Sequence, residues 1–470
     1  MQAAPGFSEL GVSPLLVPRL SALGFKAPTE PQAEAFPAML SGDDVVLLAE
    51  TGTGKTLAYL VPMLHQMLEQ CERNAAQEGA EGVGGAQPSD RRVRMCDQAL
   101  VLVPNRELCA QVTSVLQRLL RGLPYPLRVS SIADEAGDVD ADVLVATPTI
   151  ALRYWRGPER IRWLVLDEAD ILLAGSFKPA ARTTYPVEII IAALKRDAKE
   201  AALAAGAFEE RQIYGYSERA HAQRRQQRAS SWKAAREGFK QFCVVGATMP
   251  NAGTKNAEVH VERLFPSARW LRAERVHREK AELRQFFVRV APEQRADALR
   301  LALSRGPPGG ALVFANSPDA AEEAHAALRA TGTECALFHK NVAPAERGRA
   351  LDAFRAGALR VLVCTGLASR GIDLSNVSHV IQYECAANAV EFMHRIGRTA
   401  RAGNRGTATT LYDDERAELV EALRDAVEGG HPIDHLFSRK RSFRKHIKRY
   451  GETAPVGWKE QAESAEGPLR

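Results

Sequence analysis

The chain has 470 residues, 45% hydrophobic and 25% charged, an ordinary globular composition long enough for two or three domains. Its 62 basic and 57 acidic residues leave a formal charge of +5, too mild to argue for a nucleic-acid partner, so that argument rests on how the charge is distributed. The seven cysteines (Cys71, Cys96, Cys109, Cys243, Cys335, Cys364, Cys385) are scattered without C-x-x-C spacing, and no apolar run approaches the roughly 18 residues of a membrane span; a disulfide framework, a zinc site and a membrane partner are therefore not expected, and a reducing compartment is.

Gln2 to Phe7 lead almost directly into the first motif, with no Arg/Ser-rich or apolar leader. Either the protein stays where it is made, or a transit peptide has been cut off or left out of this sequence. Apolar runs at Val45–Leu48, Ala99–Val103, Val143–Ala146, Trp163–Leu166 and Phe242–Val245 read as buried parallel strands. A second series follows at Phe286–Val290, Ala311–Phe314, Val361–Cys364, His379–Tyr383 and Gly406–Leu411. Stretches between them, such as Glu107–Leu120 and Ala320–Ala330, have helical spacing. Strands alternating with helices predict a parallel sheet covered on both faces, an α/β fold. The series occurs twice, so two domains are expected, over 1–272 and 273–430, joined near the charged Leu271–Leu283, with a tail over 431–470.

Two stretches break the pattern. Asn74 to Asp97, rich in Gly, Ala and polar residues, reads as a mobile surface loop. Lys195 to Gly238, rich in Ala, Arg, Gln and Glu, reads as an insertion that is either a helical hairpin or disordered. The basic run Arg439 to Arg449, interrupted by Phe443, suits phosphates as well as it suits a solvated tail.

Ala49-Glu50-Thr51-Gly52-Thr53-Gly54-Lys55-Thr56 follows a predicted strand and opens a predicted helix. Glycines let backbone N–H groups turn inward around phosphates, and the helix N-terminus adds positive potential. Lys55 is expected to reach the β- and γ-phosphates of a nucleotide and Thr56 to ligate Mg²⁺, although Ala49 stands where the full phosphate-loop pattern has Gly. Trp163 to Asp170 is an apolar strand ending in acids: Asp167 is the candidate for the Mg²⁺ water shell and Glu168 for the group that orients and deprotonates the attacking water.

With these motifs in order, the chain resembles the DEAD-box RNA helicases, whose name motif is Asp167-Glu168-Ala169-Asp170; the likeness runs from Phe7 to about Leu411. It implies two tandem RecA-like (P-loop NTPase) parallel-sheet domains. Gly24 to Gln32 resembles the family's Q motif, with Phe7 as its distant aromatic, which implies that Gln32 reads the adenine edge and Phe25 stacks on the ring. Gly246-Ala247-Thr248 resembles the S-A-T motif with Gly for Ser, and implies a bond from Thr248 to Asp170. Cys364 to Asp373 resembles motif V: Asp373 would bond the ribose and Gly371 would let the backbone approach the nucleotide. His394 to Arg401 resembles motif VI, with Arg398 and Arg401 as arginine fingers, a contribution of about 10³–10⁵ in rate in related NTPases. Fingers on one domain and phosphate loop on the other imply that hydrolysis requires closure.

On the RNA side Pro104-Asn105-Arg106-Glu107-Leu108 resembles P-T-R-E-L with Asn for Thr, and Thr147-Pro148 begins T-P-G-R but continues as Thr149-Ile150. Asn316, Arg347 and Thr365 occupy positions of family RNA-facing motifs, while Pro344 stands where a Gln is usual and Gly366 where an acid is. The departures cluster on the RNA side, and contacts of this type read shape and charge rather than base sequence. Weak strand separation or a helper protein is therefore expected. The motif VI stretch, the insertion after the name motif and the Phe437–Arg444 run are most similar to the plant and algal plastid branch, which implies a chloroplast protein of ribosomal RNA processing and assembly, acting as a monomer. Competing readings are an ATP-gated RNA clamp, an assembly scaffold with a vestigial nucleotide site, and a DNA-acting enzyme of the same architecture.

Overall fold

The computed structural model describes residues 6–50, 52–80, 96–132, 138–173, 185–204, 240–247, 249, 257–273, 282–366, 368, 374, 376–401 and 403–428. The first half runs α1 (Val17–Ala22), α2 (Glu30–Leu40), β1 (Val45–Leu48), α3 (Lys55–Ala80), β2 (Gln98–Leu102), α4 (Arg106–Leu120), β3 (Val129–Ile132), β4 (Val143–Ala146), α5 (Pro148–Tyr154), β5 (Ile161–Leu166), α6 (Ala169–Leu173), α7 (Pro186–Ala204), β6 (Gln241–Gly246), α8 (Ala257–Leu264) and β7 (Arg269–Arg272). Its strands form one parallel sheet in the order β3-β4-β2-β5-β6-β1-β7. Alternate residues serve opposite cores. Val45, Leu47, Val101 and Val165 pack against α3 and α4, whereas Val46, Leu48, Leu102 and Leu166 pack against α6, α7 and α8. A strand buried on both faces has no polar position to spare, which is why these strands are unbroken apolar runs.

The second half runs β8 (Leu283–Arg289), a 3₁₀ turn, α9 (Arg295–Arg305), β9 (Gly310–Phe314), α10 (Pro318–Arg329), β10 (Cys335–Phe338), α11 (Pro344–Arg355), β11 (Val361–Cys364), β12 (Val377–Gln382), α12 (Ala389–Ile396), β13 (Gly406–Tyr412), another 3₁₀ turn and α13 (Ala417–Glu428). Its sheet, also parallel, has the order β10-β11-β9-β12-β13-β8. Val313 and Val363 face α9 and α10, Leu312 and Leu362 face α11, and Ala408 faces α12 and α13.

Strand order decides what can meet. In a parallel sheet every carboxyl end lies on one edge, and ligands bind there. In the first sheet β6 lies between β5 and β1, so the loops leaving those three strands, with Asp167, Gly246 and the phosphate loop, are neighbours. Adjacent β2 and β4 deliver Pro104–Arg106 and Thr147 to the same edge.

One sequence expectation changes and a second is narrowed. α3 continues through Asn74 to Ala80, because Ala75, Ala76, Gln77 and Glu78 are good helix formers with no breaker among them. α7 likewise runs on to Ala204, so the segment from Lys195 begins as the end of a helix; residues 205–239 and the basic tail lie outside the described residues. Among the described residues no helix is long and apolar enough to cross a membrane.

Candidate active site and nucleic-acid interface

The phosphate loop is shaped by two glycines that only glycine suits. Gly52 and Gly54 both have φ +86°. A Cβ on Gly54 would collide with Gln32 Nε2, and one on Gly52 would come within 3.1 Å of Arg401 Cγ. Gln32 sits in the first turn of α2 and does two jobs. Its Oε1 accepts from the Thr29 backbone N–H (3.1 Å), capping the helix, and its Nε2 donates to the Gly54 carbonyl (3.1 Å). Thr29 Oγ1 donates to the Thr53 carbonyl (2.8 Å). Each end of the Gln32 amide can still serve one further partner. Phe25, in the turn before it, is 38% exposed, whereas Phe7 is buried in the first core. Lys55 opens α3, buried, with Nζ donating to the carbonyls of Ala49 (2.8 Å) and Glu50 (3.0 Å). Burial lowers its pKa, and the nearby charges of Glu168, Asp167 and Asp170 oppose that shift. Thr56, half-buried, follows it. Thr51, Thr248, Gly371 and Asp373 lie outside the described residues.

Asp167 leaves β5 fully enclosed. Oδ1 accepts from the Glu168 N–H (2.9 Å) and Oδ2 from the Tyr59 hydroxyl (2.9 Å). Burial first, and the Glu168 charge second, push its pKa up to about 7, against the pull of Lys55. Glu168 holds a left-handed φ of +53°, a conformation that costs a non-glycine residue about 1–2 kcal/mol. Its buried Oε2 makes no hydrogen bond among the described residues and lies 3.9 Å from His394 Nδ1. His394 comes from α12 of the second domain, and its Nε2 is 2.8 Å from Asp170 Oδ2.

The arginines arrive with it. Arg398 is buried, with Nε donating to the His394 carbonyl (3.2 Å), and its charge lowers the pKa of Lys55. Arg401 Nε donates to the Gly397 carbonyl (2.8 Å), and its stem lies over Gly52. The set expected for hydrolysis (Lys55, Asp167, Glu168, Arg398, Arg401) is thus gathered where the two domains meet.

On the other half of the edge Pro104 is buried and Arg106 exposed at the start of α4. Asn105 caps α4, its Oδ1 accepting from the Leu108 N–H (2.8 Å); Thr and Asn are both good N-caps, so Asn in place of the family's Thr leaves the helix start intact. Thr147 stands at the N-cap position of α5 without a side-chain capping bond, and Pro148 is in the first turn. Facing them, Thr365 is half-buried after β11. Arg347 and Asn316 hold protein groups. Arg347 Nε and Nη2 lie 3.1 and 2.9 Å from Glu107 Oε1 in the first domain, while Nη1 donates to the Val342 carbonyl (2.8 Å). Asn316 Nδ2 donates to the Cys385 carbonyl (3.1 Å) and its Oδ1 accepts from Arg395 Nη2 (2.7 Å).

The family model for DEAD/DEAH box helicase matches residues 29–198, and that for the helicase conserved C-terminal domain matches 294–403. DEAD-box ATP-dependent RNA helicase 22 of Oryza sativa subsp. japonica is 34% identical over 505 residues, spanning 95% of this chain and 85% of that protein. This chain belongs to the DEAD-box ATP-dependent RNA helicase family. The Arabidopsis thaliana protein of the same name is 33% identical, over 94% of this helicase and 83% of the relative. Among solved structures, S. cerevisiae Dbp5 bound to RNA and ADP BeF3 matches with TM-score 0.66 and 22% identity over 91% of this chain and 94% of that one; at that identity the likeness speaks to fold alone.

Three residues of the helicase site were not singled out for these contacts in the sequence. Tyr59 stands in no motif, and Glu107 and Arg395 are each one letter of a motif. Arg395 is fully buried, donating to Glu391 Oε1 (2.7 Å) and the Glu384 carbonyl (2.9 Å) as well as to Asn316. The donors are compatible with Mg²⁺: the Thr56 hydroxyl and the Asp167 and Glu168 carboxylates are hard oxygens, and Glu168 Oε2 is a buried acceptor with no hydrogen-bond donor among the described residues.

Proposed function

We propose that this helicase couples ATP binding and hydrolysis to RNA binding and the opening of short duplexes. The observation that carries the reading is the composite site: His394 meets Asp170 at 2.8 Å, and Arg401 covers Gly52, so the hydrolytic set is complete only when the domains are closed. In this reading Gln32 and Phe25 hold adenine, Gly52, Thr53, Gly54 and Lys55 hold the phosphates, and Asp373 with Gly371 holds the ribose. Thr56 and Asp167 would hold Mg²⁺, which neutralises phosphate charge when bound. Glu168 takes the proton from the attacking water, and Arg398 and Arg401 stabilise charge at the γ-phosphate. RNA lies across Pro104, Arg106 and Thr147 on one domain and Asn316, Arg347 and Thr365 on the other. Hydrolysis and phosphate release reopen the domains.

The test is ATP hydrolysis with and without RNA, beside Glu168→Gln. RNA stimulation lost in that variant is the expected result; no hydrolysis under any RNA condition overturns the reading. RNA-stimulated hydrolysis without strand separation supports an RNA clamp instead, a reading favoured by the commitment of Asn316 and Arg347 to protein groups. We further propose a monomer acting on ribosomal RNA in chloroplast ribosome assembly, with activator or assembly proteins as partners. This rests on the motif likeness to the plastid branch and on plant relatives above 30% identity. Localisation of a fluorescent fusion and cross-linking of bound RNA test it.

A further inference from the structure

We propose that Tyr59 is a positioning residue that holds Asp167, a side chain assigned to Mg²⁺, and so sets the divalent-ion dependence of nucleotide binding. The proposal rests on the nucleotide-site reading above.

Tyr59 lies one turn beyond Lys55 on α3, fully buried, with its ring in the first core. A buried phenol requires a polar partner. This one has it: the hydroxyl donates to Asp167 Oδ2 at 2.9 Å.

The phenol holds one Asp167 oxygen. The other Asp167 oxygen is held by the Glu168 N–H, so the carboxylate plane is fixed at both ends. Phenylalanine at this position would keep the ring and its packing while removing that bond, and Asp167 would then keep one donor. A hydrogen bond to a charged group is strong enough for this to be measurable.

The experiment uses the full chain and Tyr59→Phe. A fluorescent N-methylanthraniloyl derivative of ADP is bound first in EDTA and then over a Mg²⁺ titration. The expected result is an unchanged affinity in EDTA and a Mg²⁺ midpoint raised by about tenfold in the variant. Asp167→Asn is expected to add less in the Tyr59→Phe background than in wild type, because the two act through one bond. A purely structural role would lower the unfolding midpoint and leave the Mg²⁺ midpoint where it was, which overturns the proposal. If wild-type binding itself does not respond to Mg²⁺, the site reading fails first and takes this one with it.

Discussion

Arg347 and Glu107 form an ion pair between the two domains, with two guanidinium nitrogens 2.9 and 3.1 Å from one carboxylate oxygen and side chains only 11% and 13% exposed. Exposed ion pairs contribute little, but removing one member of a buried, hydrogen-bonded pair strands the other charge and costs about 3–5 kcal/mol. The bond joins α4 to α11, so in the proposed cycle of closure it exists only in the closed arrangement. Glu107→Ala is therefore expected to lower the RNA-stimulated ATPase by about 10- to 100-fold while ATP affinity in the absence of RNA changes by less than about twofold. The double variant with Arg347→Ala should be little worse than either single variant. Independent, additive losses in steady-state assays at saturating ATP would show that the two residues act separately.

How much of this was legible in the sequence depended on burial. The strands that read clearly from their apolar runs, such as β1, β5 and β11, lie inside the sheets. The three that did not, β3 (Val-Ser-Ser-Ile), β7 (Arg-Trp-Leu-Arg) and β10 (Cys-Ala-Leu-Phe), are all edge strands. An edge strand is only partly covered, and in β3 and β7 the exposed positions take polar residues that break the apolar run; β10 is an unbroken apolar run, so its edge position does not account for it. The phosphate loop and name motif were legible because glycine spacing and a strand ending in acids are local signals. The pairings across domains were not, since nothing in the order of residues says that Glu107 lies against Arg347 or His394 against Asp170.

Arg395 illustrates a charge buried for shape. Its guanidinium donates to Glu391, Asn316 and the Glu384 carbonyl and lies 5.5 Å from the Phe314 ring centroid. These partners surround a planar fork, and an ammonium has no fork. Arg395→Lys is expected to destabilise the protein by about 2–4 kcal/mol in urea unfolding despite its unchanged charge. An effect below about 0.5 kcal/mol would mean that charge alone is what the site requires.

The turn that carries Arg398 and Arg401 is held tightly. Ala400 has a left-handed φ of +52°, and Gly406 at the start of β13 lies so close that a Cβ there would sit 2.5 Å from the Ala400 nitrogen. That neighbour is backbone and has nowhere to swing. Gly406→Ala is expected to displace the arginines and reduce kcat by roughly tenfold or more, in line with the sensitivity of catalysis to ~1 Å misplacement. Ala400→Gly should leave stability within about 1 kcal/mol of wild type, because relief of strain offsets the lost methyl and the freer unfolded chain. Rates from a temperature series, with folding checked alongside, separate displacement from unfolding.

His379 makes stability depend on pH. It is buried on β12, with Nε2 2.9 Å from Thr409 Oγ1, and burial first and the Arg360 charge second push its pKa down from the usual 6.5 to about 4. The folded protein thus takes up this proton less readily than the unfolded chain. Its contribution is intact above about pH 6.5 and is lost as pH falls toward 4, reaching about 2 kcal/mol by pH 5. Urea unfolding of wild type should therefore weaken between pH 7.5 and pH 5 by about 2 kcal/mol more than that of His379→Gln, which has no group to titrate there. Carboxylates titrating below pH 5 act on both proteins alike and cancel in the difference. Parallel pH profiles for the two would place the acid sensitivity on another group and leave His379 a hydrogen-bonded core residue without influence on pH.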